Sequence, residues 1–514
     1  MRSVPASLRP LVLSWVVAMA AIPAGRPDTN AFFGIQIVDD ATGRGVPLVE
    51  LETVHHLRFV SDSAGWVAFN EPGLMGQEVF FFVRSHGYEF PKDGFGYAGT
   101  RLLARPGLRT QLRLQRVNLA ERLYRVTGEG IYRDSVLLGE PAPLRAPLGA
   151  AKVVGQDSVS ALPYAGRLFW FWGDTSRASY PLGHFWMAGA ESALPGPGGL
   201  DPSGGVDLDY FVDDEGFSRP VARLGVERGL IWADAFLTLP DATGRERLVC
   251  HYAHMASLGR ELGHGLAVFN QETREFELVQ RLTPETRWCF PGQAHPFRSG
   301  SDDGRFFLLG EVFPTARVRA RWEEVLDPAR YEAWTCFREG PEGAASELDR
   351  DASGRLRFGW RSGGRPVDAG VEADLLARGA IRPDEAHYSP TDVDTGKRVR
   401  LHRGSVHWNP HRQRWVVIAV EKGGTSSLGE VWYGEALEPT GPWRKVKKIV
   451  THERYSFYNP VHHAFLDEDG GRRIYFEGTY ANTFSGNEFP TPRYDYNQIM
   501  YRLDLDDPRL ATVR

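Results

Sequence analysis

Three cysteines, Cys250, Cys289 and Cys336, are all that the 514 residues carry. No two stand at a metal-ligand spacing such as C-x-x-C. The odd count allows one disulfide with a free thiol or three buried thiols, and small apolar occupants of a core are the better reading. Charge of one sign is scarce too. Against 65 Asp+Glu stand 60 Lys+Arg, a net charge of −5. With no basic excess to neutralise phosphates, nucleic acid is excluded as a partner. Long apolar runs are missing beyond the first two dozen residues, so no stable membrane span is expected in the mature chain. Equally absent are a G-x-S-x-G elbow, a Walker phosphate loop and an H-E-x-x-H pair. The glycines of Pro195–Gly199 lack a strand–helix context and read as loop.

What is abundant points to β structure. There are 56 Gly, 34 Pro, 14 Trp, 29 Phe and 18 Tyr, a turn-rich and aromatic-rich composition. The first 27 residues hold no acid, and Arg2 and Arg9 precede an apolar run from Leu11 to Ala21. That is the layout of an export signal, with a cut near Ala20 or Ala24. It predicts a signal peptide over residues 1–24 and a secreted, periplasmic or cell-surface location. Short alternating strands then follow between Gly/Asp turns, among them Phe33–Asp39, Val46–Leu51, Trp66–Phe69 and Val79–Val83. Their spacing predicts a small β-sandwich over residues 32–117. This block resembles carboxypeptidase-regulatory-like and transthyretin-like domains, which implies an accessory module without chemistry of its own.

After the Pro/Leu-rich linker Gly139–Pro147, strand–turn–strand units recur. They run Asp157–Asp174, Asp234–His251, Gln293–Glu311, Arg403–Glu421 and Asn459–Glu477, each opening and closing on a polar residue 17 or 18 positions apart. Successive units begin 77, 59, 110 and 56 residues apart. That leaves room for further strands, such as Gly265–Phe269 and Glu430–Tyr433. Repeats of this size are the mark of propeller blades. The expectation is an all-β chain, a five-bladed β-propeller over residues 140–512 with an insertion at about 316–400. Within the insertion, Val318–Phe337 and Glu372–Arg378 have helical spacing, and Tyr494–Leu503 reads as the closing strand.

Propeller geometry brings the start of a blade's first strand and the end of its second to one face. The openings Asp157, Asp234, Gln293, Arg403 and Asn459 should therefore ring the axis. A second ring is expected from Asp174, His251, Glu311, Glu421 and Glu477. Crowded carboxylates push one another's pKa values apart, so one can be an acid while another is a base. Glycosidic cleavage needs such a pair. Trp170, Trp172, Trp232, Trp408, Tyr458 and Tyr480 are candidates to offer flat faces to sugar rings, Trp232 foremost. Arg403 suits an anionic sugar or neutralisation of the ring's carboxylates. His295, His462 and His463 lie just inside two openings, as satisfied core or channel histidines or as a further part of the site.

In blade number, blade size and the placing of Asp157 and Asp234, residues 150–505 resemble five-bladed glycoside hydrolases of the arabinanase and invertase type, including propeller domains linked to endo-acting arabinan cleavage. The resemblance implies that Asp157 is the base or nucleophile and that Asp234 orients the acid and tunes its pKa. The family's acid is a glutamate near the third blade. Gln293 opens that unit here, so Glu311 is the substitute, with Glu477 second. Gln293, Arg403, Asn459, Glu421, Glu477, Trp232 and Asp174 are then expected to bind a carbohydrate substrate. No cofactor is required by this reading, although similar propellers can hold Ca2+ or a water cluster on the central axis with a histidine nearby. Two alternatives stay open: a non-catalytic glycan-binding propeller, and a calcium-dependent ester or lactone hydrolase.

Overall fold

The computed structural model describes residues 31–299, 305–338 and 347–513; the expected signal over residues 1–24 lies outside them. Two four-stranded sheets come first. One holds, in spatial order, Trp66–Phe69, Phe33–Asp39, Arg109–Arg116 and Tyr88–Glu89, and the other Arg58–Val60, Glu50–Thr53, Glu78–Arg84 and Gly99–Leu103. Period-two alternation turns Val79, Phe81 and Val83 inward. There they share a core with Ile35, Ile37, Phe69 and Leu112. Phe69 and Phe81 meet edge to face at 5.2 Å between the sheets. The result is a β-sandwich.

Five blades follow. The first comprises Ser160–Tyr164, Arg167–Trp172, Ala188–Ser192 and Asp209–Tyr210; the second Leu230–Pro240, Glu246–Ser257, Arg260–Asn270 and Glu275–Leu282. The third has five strands, Phe297–Ser299, Phe306–Leu309, Ala316–Arg319, Glu332–Thr335 and Gly359–Ser362. The fourth runs Leu401–Asn409, Arg414–Glu421, Val431–Ala436 and Lys445–Val450, with Thr391–Asp392 added parallel at its edge. The fifth has Ser456–His462, Arg473–Ala481 and Asn497–Asp504. Aromatic side chains cement neighbouring blades. Phe171 of the first stacks on Phe236 of the second at 4.8 Å, a contact of about 0.5–1.5 kcal/mol beyond its buried area.

Blade five is completed from far upstream. Glu121–Arg125 pairs antiparallel with Asn497–Asp504, Arg125 opposite Ile499, so the propeller draws on chain preceding its expected start at residue 140. The predicted closing strand is the third of four. The same segment fastens the sandwich: the buried Arg122 donates to Pro47 O and His86 O, both at 3.0 Å. Tyr494 from the propeller donates to Ser61 O at 2.7 Å.

The expected insertion is partly blade. Val318–Phe337, read as helical, supplies two strands of blade three, with Ala316 opposite Ala333, around a four-residue helix Trp322–Val325. Its short apolar runs satisfy both periods, and pairing with Phe306–Leu309 decides the outcome. The second expected helix is present over Ala369–Ala377, capped by the Asp368 carboxylate, which accepts from Val371 N. All three cysteines are free and buried. Among the described residues no helix is long and apolar enough to cross a membrane.

Candidate functional site

Each blade is kinked in its first strand or in the residues leading into it. Ser158, Ala235, Gln293, Arg403 and Asn459, one per blade and none of them glycine, all have φ between 50 and 55°. This left-handed conformation costs an L-residue roughly 1–2 kcal/mol, and here it accompanies a register shift. Pairing jumps after Asp234, after His402 and after Tyr458, the pattern of a β-bulge. The residue before each kink is therefore the equivalent one: Asp157, Asp234, Gly292, His402 and Tyr458. The expected ring aligned the aspartates with Gln293, Arg403 and Asn459, one place too far, because spacing alone does not register a bulge. Both sets nonetheless face a common space. Asp157, Asp234, Gln293, Arg403 and Asn459 line a cavity of about 690 Å³, with Asp174 and Trp232 in the same wall.

The second ring does not form. Asp234 faces His251 across the first two strands, but Tyr458 faces Thr479 and His402 faces Val420. Glu421 and Glu477 lie opposite Leu401 and Val461 instead, displaced from the cavity by the bulges. Glu477 is buried against His463 at 2.9 Å. Glu421 accepts from Trp432 Nε1 at 2.9 Å. Glu311 stands outside the lining, half exposed, with Arg403 at 2.9 Å. Of the second ring's five residues, Asp174 alone reaches the cavity.

Asp157 and Asp174 work as a couple. Asp157 Oδ1 accepts the Asp174 N–H at 3.0 Å and Oδ2 accepts the Tyr458 hydroxyl at 3.2 Å. The Tyr496 hydroxyl, from a turn that nothing in the repeat marked, donates to the same carboxylate. Gly173 makes the approach feasible, since a Cβ there would lie 2.3 Å from Asp157 Oδ1. Burial pushes Asp157 up to about 6 against the pull of its three donors. Burial and then the Asp157 charge push Asp174 up to about 7, and its Oδ1 is buried without a hydrogen-bond partner. Donors favour the ionised form of the group they surround. The charge therefore resides on Asp157 and the proton on Asp174, one acid beside one base near neutral pH.

Asp234 is held differently. Its Oδ2 accepts the Gln293 N–H at 2.6 Å and its Oδ1 lies 2.7 Å from His251 Nδ1. His251 Nε2 is 3.1 Å from His264 Nδ1, and His264 Nε2 is 2.8 Å from Thr283 O. A carbonyl only accepts, so His264 Nε2 carries a hydrogen. Burial lowers His264's pKa, and Asp234, His251 and His264 form one hydrogen-bonded run from the cavity wall to Thr283 O.

The remaining candidates disperse. Trp232 and Tyr458 line the cavity, whereas Trp170, Trp172 and Tyr480 are buried packing and Trp408 is exposed elsewhere. His295 and His402 reach the cavity, each pushed down to about 4, mainly by burial. His462 pairs with Asp467 at 2.8 Å outside it. Among the described residues no group of three or more His, Cys, Asp or Glu is arranged to hold a metal ion.

No protein-family model and no curated protein matches the chain. Solved structures do. An endo-1,5-α-L-arabinanase from Thermotoga petrophila is 11% identical at a TM-score of 0.33, over 69% of this chain and 72% of that one. An α-L-arabinofuranosidase variant from Fusarium graminearum, in complex with an iminosugar inhibitor, is 12% identical at 0.32, over 76% and 99%. The GH43_1 enzyme from Xanthomonas citri, complexed with xylotriose, is 10% identical at 0.33, over 68% and 86%. These are distant likenesses of fold, and activity has to be read from this chain's own geometry.

Proposed function

We propose that the protein is an exported glycoside hydrolase acting on a polysaccharide or oligosaccharide in the propeller cavity. The observation that carries this reading is the Asp157–Asp174 couple, two carboxyl groups in one cavity wall with different partners and raised pKa values. Asp157, surrounded by donors, serves as base or nucleophile. Asp174, protonated, serves as the acid that assists the leaving oxygen, in place of Glu311, which Arg403 engages outside the cavity. Asp234 positions the third blade through Gln293 N. Trp232 and Tyr458 give sugar rings an aromatic surface. The reading needs no cofactor, and it places the sandwich as an accessory module. Export is supported by the acid-free, apolar N-terminus.

One observation favours a non-catalytic glycan-binding propeller: the third blade presents Gly292 and Gln293, not a carboxyl, to the cavity. A panel of polysaccharides decides between the two. Hydrolysis by the parent protein that is lost in Asp157→Asn, with binding retained, supports the enzyme. Binding without turnover in the parent protein supports the module.

A further inference from the structure

Two guanidinium groups converge on one point of the cavity wall. A Cβ placed on Gly292 would stand 3.4 Å from Arg403 Nη1, 3.7 Å from Arg403 Nη2 and 3.7 Å from Arg287 Nη2. Both arginines and Gly292 line the cavity. The other two nitrogens of Arg287, and Nη1 of Arg403, are occupied. Arg287 Nε lies 3.1 Å from Glu261 and its Nη1 donates to Phe290 O. Arg403 Nη1 donates to Gly292 O and meets Glu311 at 2.9 Å. Among the described residues, no hydrogen bond reaches the Nη2 of either.

Bringing two like charges together is unfavourable unless something negative lies between them. Asp234 stands near Arg403 as well, but its two oxygens are engaged by Gln293 N and His251 Nδ1. Glu261, in the cavity wall beside Arg287, holds that guanidinium by its Nε, and Glu311, outside the lining, holds Arg403 by its Nη1. What is left facing the cavity is a pair of unoccupied N–H donors with no side chain on Gly292 to cover them. Two planar donors of this kind match the two oxygens of a carboxylate better than a hydroxyl.

We propose that Arg287 and Arg403 form a carboxylate subsite over Gly292, so that the sugar taken by the cavity is a hexuronic acid unit. The inference rests on the reading of the cavity as a sugar site. Titration calorimetry of the full chain with D-galacturonate, D-glucuronate, their neutral counterparts galactose and glucose, and galactose 6-sulfate tests it. The uronates should bind about ten-fold tighter than the neutral sugars, since a charge-assisted bidentate contact distinguishes them. That preference should fall to about two-fold or less in Arg287→Gln and in Gly292→Ala, where the new methyl sits against both Nη2 groups. Gly292 does not have a positive φ, so the alanine variant is compatible with the fold even if loss of an arginine is not. Asp157→Asn should keep the preference. Equal binding of neutral and acidic sugars, sulfate binding as tightly as uronate, or a preference that survives Gly292→Ala overturns the subsite while leaving the hydrolase reading standing. Binding of no sugar at all overturns both.

Discussion

Asp174→Asn should stabilise the protein while disabling it, and the gain should depend on pH in a definite direction. Asp174's folded pKa, about 7, lies above its ordinary 3.8 because burial and the Asp157 charge oppose ionisation. A raised carboxyl means that the folded state holds the proton more tightly than the unfolded one, so stability declines as pH rises from about 4 and levels off above about 7. Asparagine removes that loss. A difference of roughly three pKa units at about 1.4 kcal/mol each gives an upper figure of about 4 kcal/mol. Part of it is repulsion shared with Asp157, so about 2–4 kcal/mol is expected above pH 7 and under about 1 kcal/mol near pH 4. Thermal unfolding of parent and variant at pH 4 and pH 8 reads this directly. The variant should melt several degrees higher at pH 8 and nearly together with the parent at pH 4. A lower melting temperature at pH 8, or the same gain at both pH values, would refute the reasoning.

Three further outcomes follow from the same geometry. Gly173→Ala puts a methyl 2.3 Å from Asp157 Oδ1 and forces the carboxylate aside by about 1 Å, which should lower kcat on a glycan substrate by about 100-fold; a change within about three-fold would count against Asp157. His251→Ala leaves the buried Asp234 carboxylate without its imidazole partner and should cost about 3–5 kcal/mol in denaturant unfolding; a loss below about 1 kcal/mol would show that the contact does not hold the blade together. Deleting everything before residue 126 removes the outer strand of blade five, and limited proteolysis should then cut first within residues 497–504. Unchanged resistance there would mean that the strand does not close the ring.

The propeller was legible because its signal is periodic. Five strand–turn–strand units with nearly constant internal spacing persist through loops of very different length, and each maps onto a real blade. Two features were hidden by the nature of the signal. A bulge adds one residue without changing composition, so the step from Gly292 to Gln293, or from His402 to Arg403, was invisible until the strands were paired. The pairing of Glu121–Arg125 with Asn497–Asp504 is a contact across most of the chain, and the segment lies between the expected sandwich and the expected propeller, outside both. Val318–Phe337 failed for a third reason, since its short apolar runs fit either period and only neighbouring strands choose. At the site, Asp157, Asp174 and Asp234 were recoverable from position in the repeat. Tyr496, Arg287 and His264 were not, because each enters from a turn or a third strand outside the repeated unit.

The assignment of base to Asp157 and acid to Asp174 is tested most directly by the pH dependence of kcat/KM on whichever glycan is cleaved. A bell with limbs near 6 and 7 is expected, the residual activity of Asp174→Asn losing the alkaline limb and keeping the acidic one. A profile flat across that range, or an alkaline limb that persists unchanged in Asp174→Asn, would contradict the account.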